Sequence, residues 1–166
     1  MSELYYRERI FSKFNAGIFA VVVGFLLFSL IYQLTVGPLG SKPANNQTLI
    51  VMILIFAAIG INFSTLSIAI NPEGLRVGYG LLNNTIPWKN IESSYLDKTS
   101  VIMYGGWGIR LGRVKGKWRL VYNVFRGPRV VLVLKKGWYR EFVFSTRNPQ
   151  EMMKIIGQQL KNLHNN

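Results

Sequence analysis

Residues 16–36 read AGIFAVVVGFLLFSLIYQLTV, and the longer run Phe14–Ser41 around them contains no charged side chain. A helix needs about 20 apolar residues to cross a hydrocarbon core roughly 30 Å thick. The stretch therefore predicts a first transmembrane helix over residues 16–36. A second charge-free run, Pro43–Pro72, predicts another over residues 47–66, because a segment in lipid must satisfy its own backbone hydrogen bonds.

A cleaved signal peptide is the alternative interpretation of the first segment, since Arg7, Arg9 and Lys13 precede it. The apolar run is longer than the 7–15 residues, roughly, of a signal-peptide core, and no A-x-A cleavage site follows it. A retained transmembrane helix is the favoured interpretation.

The distribution of Lys and Arg predicts the orientation of this helical hairpin. Residues 1–15 carry three Lys or Arg, whereas the loop over residues 37–46 has only Lys42. Positively charged flanks stay on the cytoplasmic side during insertion. We therefore predict a multi-pass cell-membrane protein with a cytoplasmic tail over residues 1–15, an external loop over 37–46, and a cytoplasmic domain over 67–166.

Most of the charge lies in the predicted cytoplasmic domain. The whole chain has a formal net charge of +13, and from Asn71 onward sixteen Lys or Arg stand against five Asp or Glu. The chain has no cysteine, which excludes disulfides, a thiolate nucleophile and cysteine-ligated metals.

Short alternating segments separated by Gly, Pro and Asn predict an antiparallel barrel or sandwich after the second helix. Asn71-Pro72-Glu73-Gly74 is typical of a type I turn, and residues 64–70 before it are a first strand or its lead-in. The predicted strands are Leu75–Tyr79, residues 81–86 with a turn at Asn83-Asn84, Ile91–Lys98, Ile109–Val114, Trp118–Val124, Arg129–Lys135 and Tyr139–Ser145.

The last segment changes to a helical period. Asn148 is a candidate cap, Pro149 suits the first helical position, and Glu151 stands where a capping-box acid would. An apolar stripe follows on one face, which predicts an amphipathic helix; its members are Met152, Ile155, Ile156, Leu160 and Leu163.

Four short motifs occur in order along the domain: NPEGL at 71–75, IPWKNI at 86–91, YGGWGIR at 104–110 and FSTRNP at 144–149. With the two preceding helices, they resemble the bacterial and archaeal pleckstrin-homology domain membrane proteins. That resemblance implies a bent barrel of about seven antiparallel strands with one carboxyl-terminal helix, held at a membrane. In lipid-binding members of the wider fold, the first hairpin loop supplies a Lys/Arg cluster. Here that loop, residues 71–74, contains Glu73 instead, so phosphoinositide recognition of that kind is not expected.

The sequence offers little to an enzyme. His164 is the only histidine and lies three residues from the end, and nucleotide-binding, serine-hydrolase and zinc-protease motifs are absent. Asp97 beside Lys98 is expected to be a surface pair of small energetic consequence. Residues 105–108 (GGWG) predict a turn or bulge with a packed Trp, because a strand rather than a helix follows. We therefore expect no catalytic site, no cofactor, no metal and no small-molecule substrate.

The basic stretch without an acid between Asp97 and Glu141 is the best functional candidate. On a ribbon, side chains at every second position share a face unless the turn at Gly116 separates them. The residues expected to form a lipid or partner surface are Arg110, Arg113, Lys115, Lys117, Trp118 and Arg119.

Two functions fit such a surface. The first is a membrane-anchored interaction or scaffolding module, an accessory subunit with a protein partner or a homo-oligomer. The alternative is charge-driven binding to anionic lipid, to which each basic residue near the leaflet contributes about 1 kcal/mol. A third interpretation, surplus charge from topology with the Trp residues in the core, stays open, and nucleic acid is disfavoured because cytoplasmic flanks are already basic.

Overall fold

The computed structural model describes residues 6–114 and 116–164. The chain forms two compact units: Ser12–Ser64 is one, and the residues up to Phe11 together with those from Thr65 onward are the other.

The first unit is a pair of apolar helices. Helix α1 spans Lys13–Thr35 and α2 spans Asn46–Phe63, and both are long and apolar enough to cross a membrane. In their most hydrophobic windows only 17% and 11% of residues are buried, whereas a core helix of a soluble protein would be mostly buried. The helices pack closely at Gly60, where an added Cβ would lie 2.8 Å from the Cβ of Phe19.

The helix bounds differ from the predicted ones at both ends of the hairpin. Helix α1 begins at Lys13, three residues before the predicted start, because a cation in the first turn does not prevent helix formation. Helix α2 ends at Phe63, so Leu66, which was predicted to be in the second transmembrane helix, belongs to a strand.

Four strands form an antiparallel sheet in the order β1-β2-β3-β4. Its strands are β1 (Tyr6–Phe11), β2 (Thr65–Asn71), β3 (Gly74–Tyr79) and β4 (Leu82–Pro87). Strand β1 lies in the segment predicted to be a cytoplasmic amino-terminal tail, where no strand was predicted. The predicted turn at Asn83-Asn84 is wrong: both residues lie in β4, and the chain turns at Gly80-Leu81, where Gly80 adopts a positive φ of 49°.

Five strands form the second sheet, in the order β5-β8-β9-β7-β6. The pairs are antiparallel except β7 and β9, which run parallel from Arg119↔Glu141 to Tyr122↔Phe144. Its strands are β5 (Ile91–Leu96), β6 (Gly108–Val114), β7 (Lys117–Asn123), β8 (Arg129–Leu134) and β9 (Glu141–Ser145).

The described residues thus contain nine strands in two sheets that are not closed into a barrel, where about seven antiparallel strands in a bent barrel were expected. Strand β1 was not predicted, whereas β2 corresponds to the first strand or lead-in predicted over residues 64–70. The parallel pair arises because β7 of the β6–β7 hairpin pairs with β9, rather than with β8, the next strand along the chain.

Helix α3, Pro149–His164, closes the strand-rich unit. Met152 and Ile156 on its apolar stripe are fully buried, while Leu163 is half exposed. Asn148 and Glu151 side chains are joined by a 3.3 Å hydrogen bond at its start. Phe142 and Phe144 from β9 lie in the same core as Leu132 from β8, all fully buried.

A buried carboxylate ties β1 to the chain before α3. Glu8 accepts hydrogen bonds from the Thr146 hydroxyl and from the backbone N–H of Arg147, each at 2.6 Å. Because Glu8 occupies an inward-facing position, β1 lacks the alternation of apolar and polar residues by which a strand is predicted. The two hydrogen bonds compensate for the burial of its carboxylate.

Candidate functional site

The β6–β7 hairpin carries most of the residues predicted to form a functional surface. In its register Arg113 pairs with Trp118, Val114 with Lys117 and Gly112 with Arg119. Directly paired residues point to the same side of a sheet, and sequence neighbours to opposite sides. The predicted basic ribbon is therefore divided: Arg113 and Trp118 lie on one face, and Lys117 and Arg119 on the other.

The face with Trp118 is an exposed mixture of apolar and cationic side chains, which we call the hairpin patch; its members are Leu111, Arg113, Trp118, Leu120 and Trp138. Leu111 and Leu120 form a cross-strand pair, and the Arg113 guanidinium lies 5.9 Å from the Trp118 ring centroid. Exposed fractions are 55% for Leu111, 47% for Trp118 and 65% for Trp138.

Trp138 joins the patch from the loop between β8 and β9. The backbone N–H of Arg140 donates to the carbonyl oxygen of Trp118 at 3.1 Å, which brings this loop beside the hairpin. Trp138 lines a shallow depression of about 550 Å³ with Leu111 and Leu120.

Further cations stand exposed on the strands and loop that carry the patch. Arg140 is fixed by a hydrogen bond from its guanidinium to the carbonyl oxygen of Lys135, 2.7 Å away. Exposed cations of this kind are Arg110, Lys135, Lys136 and Arg140. Arg110 is therefore exposed as predicted, whereas Lys115 lies outside the described residues.

Arg119 is buried, so its prediction as a member of the exposed lipid or partner surface is wrong. It is only 5% exposed, and its Nε donates to Glu141 Oε2 at 2.5 Å. Its other nitrogens donate to the hydroxyls of Tyr104 and Tyr95, at 2.6 and 2.9 Å. The residue acts as the centre of a polar network on the sheet.

Asp97 is the second anion of this network, and its prediction as a surface partner of Lys98 is wrong. Its side chain is 1% exposed and accepts a 2.7 Å hydrogen bond from Arg129 Nε. Tyr104 also donates to it at 3.1 Å, and Arg129 Nη2 donates to the carbonyl oxygen of Thr99. Two arginines thus bind the segment after β5 to the face of the sheet.

Burial and hydrogen bonding shift the pKa values of the network so that Asp97 and Arg119 stay charged and Tyr95 stays neutral. Burial alone would raise the pKa of Asp97, but hydrogen bonds from Arg129 and Thr99 outweigh it and hold that pKa below the ordinary value. Burial likewise opposes the charge of Arg119, yet its bonds to Tyr104 and Glu141 keep its pKa raised. Burial raises the pKa of Tyr95 to about 12, with Arg119 lowering it and Glu141 raising it, so the phenol stays protonated at neutral pH.

Pairwise sequence reasoning missed this network because its partners are far apart in the chain. Asp97 and Arg129 are 32 positions apart, and Arg119 and Glu141 are 22 apart. The one available signal was that Arg119 is followed in its strand by three apolar or aromatic residues, Leu120 to Tyr122.

The glycine-rich segment 105–108 forms the turn with a packed Trp that was predicted. Gly105, Gly106 and Gly108 all have positive φ, and strand β6 rather than a helix begins at Gly108. Trp107 packs edge-on against Phe125, with ring centroids 5.3 Å apart. The segment therefore lacks the helix N-terminus that a phosphate-binding loop of that class uses.

Metal ligation is not indicated by the geometry. In the part of the chain that the structure describes, no three His, Cys, Asp or Glu side chains come close enough to hold a metal ion. Asp97 and Glu141 are engaged by arginines instead.

Comparisons with known proteins found no matching family model, no similar curated protein and no similar solved structure. The resemblance to pleckstrin-homology proteins therefore stays a prediction, and the functional argument depends on the surfaces themselves.

Proposed function

We propose that this chain is a membrane-anchored module whose hairpin patch attaches to the anionic surface of the bilayer in which its two helices are inserted. The observation that supports it best is that Leu111, Arg113 and Trp118 on one face of the hairpin lie beside Trp138 from the neighbouring loop, with both Trp residues and Leu111 substantially exposed. Exposed large side chains of this kind are typical of an interaction site when they occur as a group.

The chemistry of the patch fits a lipid headgroup region. Indole rings are enriched where membrane meets water because they have an apolar body and one polar N–H. Cations nearby add about 1 kcal/mol each against an anionic leaflet. Arg113 and the exposed cations beside the patch together supply several such contributions.

The connections to the helices favour a surface held close to lipid. Only Ser12 separates β1 from α1, and only Ser64 separates α2 from β2. The backbone N–H of Ser12 donates to the carbonyl oxygen of Ser64 at 2.7 Å, so the two connections are paired. Short connections of this kind raise the effective concentration of a tethered surface near its target.

The test uses the full chain reconstituted in vesicles of neutral lipid, and in vesicles with added anionic lipid, each containing brominated acyl chains that quench tryptophan. We expect stronger quenching in the anionic vesicles and a decrease with added salt, because surface charges are screened. Replacing Trp118 and Trp138 by Phe should remove the quenching that depends on anionic lipid, because Trp88 is buried, Trp107 is packed against Phe125, and only the two replaced Trp residues lie in the patch.

The charge requirement is tested with Arg113→Glu combined with Lys136→Glu, which should remove the difference between anionic and neutral vesicles. Lys154→Glu combined with Lys161→Glu, two exposed positions on α3, is the matched control and should leave the difference unchanged. Equal quenching in both lipids, or an equal effect of the control, would contradict the proposal.

A further inference from the structure

A second concave surface lies on the opposite face of the same hairpin. It is a groove of about 930 Å³ on the five-stranded sheet, between β5, the end of the hairpin and the short 3-10 helix Val101–Tyr104. Lys117 and Val114 line it from the hairpin, Tyr95 from β5 and Met103 from the 3-10 helix. This groove does not include any member of the hairpin patch.

The lining of the groove is apolar enough to accept hydrophobic side chains. Met103 is 62% exposed, and Leu96 and the ring of Tyr95 are each 38% exposed. Val133 adds a half-buried side chain to the floor. A groove of several hundred Å³ with apolar walls and a few polar groups is the usual form of a binding site.

The charge of the groove is positive once its ion pairs are taken into account. Glu141 is neutralised by Arg119 at 2.5 Å, and Asp97 beyond it by Arg129 at 2.7 Å. Lys98 and Lys117 at the rim are both exposed, and Lys117 Nζ lies 3.8 Å from Glu141, which Arg119 already neutralises. The Arg119–Glu141 pair itself lines part of the groove beside Val133, and two lysine charges remain uncompensated at the rim.

These features select among the possible occupants. A second copy of this chain is disfavoured, because a formal charge of +13 makes copies repel each other. A flat lipid surface would contact protruding side chains, as in the hairpin patch, rather than the floor of a groove. A polypeptide segment that presents acidic side chains to the rim and apolar ones to the floor matches both the charge and the shape.

We propose that this groove binds an acidic amphipathic segment of a partner protein. The inference is independent of lipid attachment by the hairpin patch, since the two surfaces share no residue. The partner's carboxylates would pair with Lys98 and Lys117, and its apolar side chains would pack between Met103, Val114 and Val133.

The experiment measures fluorescence anisotropy with the full chain in nanodiscs of neutral lipid. The probe is a fluorescein-labelled peptide that alternates glutamate and leucine, and the comparison peptide has lysine in place of glutamate. We expect saturable binding of the acidic peptide alone. Lys98→Glu combined with Lys117→Gln should weaken it by about tenfold or more, since 1.4 kcal/mol corresponds to tenfold in affinity.

Two variants separate the groove from general charge attraction. Met103→Glu should also weaken binding, because it adds a like charge at the groove wall. Lys135→Glu combined with Lys136→Gln removes as much positive charge elsewhere and should leave the affinity within about twofold, a small change on the free-energy scale. Thermal unfolding of each variant confirms that the fold is retained, as all five positions are exposed.

Several outcomes would overturn the proposal. These are the absence of saturable binding, equal binding of the lysine peptide, and equal losses in the groove variants and the Lys135/Lys136 variant. Displacement of the peptide by anionic lipid in the nanodisc, with the same dependence on Lys98 and Lys117, would assign the groove to lipid headgroups instead. None of these outcomes bears on tryptophan quenching at the hairpin patch, so the two proposals fail separately.

Discussion

At the scale of single residues, the fate of a charged side chain depends on which face of its strand it occupies. Arg113 and Arg119 belong to the same basic run, yet Arg113 is exposed over Trp118 while Arg119 is buried against Glu141. Removing one member of a buried ion pair leaves the other charge without compensation, which costs far more than losing an exposed pair.

Arg119→Met should therefore lower the free energy of unfolding by about 3–5 kcal/mol, because Glu141 then remains buried without its arginine. Arg113→Met is the matched control and should change it by less than about 1 kcal/mol. Thermal unfolding in mild detergent, followed by near-ultraviolet circular dichroism, measures both. Replacing Glu141 by Leu in the Arg119→Met background should recover part of the loss; equal effects of the two single variants would show that Arg119 is not a buried partner.

The lowered pKa of Asp97 predicts that the folded protein loses stability in acid. Because its pKa in the folded protein is below the ordinary value near 3.9, the folded state binds fewer protons than the unfolded chain. Its stabilising contribution is present above about pH 4 and is lost as the pH falls through the folded pKa. Asp97→Asn should lower the unfolding temperature at pH 7, and the unfolding temperature of this variant should fall less steeply than that of the original chain below about pH 4. An equally steep fall in both proteins would contradict this.

At the scale of elements, close backbone approach limits which side chains a strand can carry. An added Cβ at Gly78 in β3 would lie 2.5 Å from the Cα of Asn83 in β4, so the strands must separate to admit it. Gly157 in α3 is different, because an added Cβ would meet nothing within 4 Å.

The same substitution should therefore have opposite effects at the two glycines. Gly78→Ala should destabilise the strand-rich unit by about 1–3 kcal/mol through overpacking. Gly157→Ala should stabilise it by about 0.5–1 kcal/mol, because alanine loses less conformational entropy in a helix. Thermal unfolding measures both, and a stabilised Gly78→Ala variant would refute the close approach of β3 and β4.

At the scale of the whole molecule, the two units differ in composition, and each is therefore suited to a different solvent. The helical unit exposes apolar side chains such as Phe25 and Ile61, which are suited to lipid, whereas the strand-rich unit carries the basic surplus. Cytoplasmic placement of that second unit is a prediction from the positive-inside rule, and it is testable.

The absence of cysteine allows the topology to be measured without background labelling. Lys42→Cys, in the loop between α1 and α2, should react with a membrane-impermeant maleimide in intact cells. Lys154→Cys on α3 should react only after the membrane is permeabilised. The reverse pattern would place the strand-rich unit outside and would remove the anionic cytoplasmic leaflet from the proposed function.

The sequence by itself determined the elements whose signal is local. The two apolar helices, most strands and the amphipathic α3 were predictable, because hydrophobic periodicity and turn residues act over a few neighbouring positions. The turn at Gly116 was also recognised, as a feature that could separate the basic residues onto different faces.

Only the tertiary structure decided which strands pair and which charges are buried. The pairing of β1 with β2, the parallel contact of β7 with β9, and the burial of Arg119 and Asp97 all join residues distant in the chain. Such pairings depend on the free energy of the whole packed arrangement, since a buried charge is tolerated only where its partner is delivered by another strand. That physical reason also explains the outcome for the candidate site: local pattern identified the basic ribbon, but long-range pairing divided it into an exposed patch, a groove rim and a buried ion network.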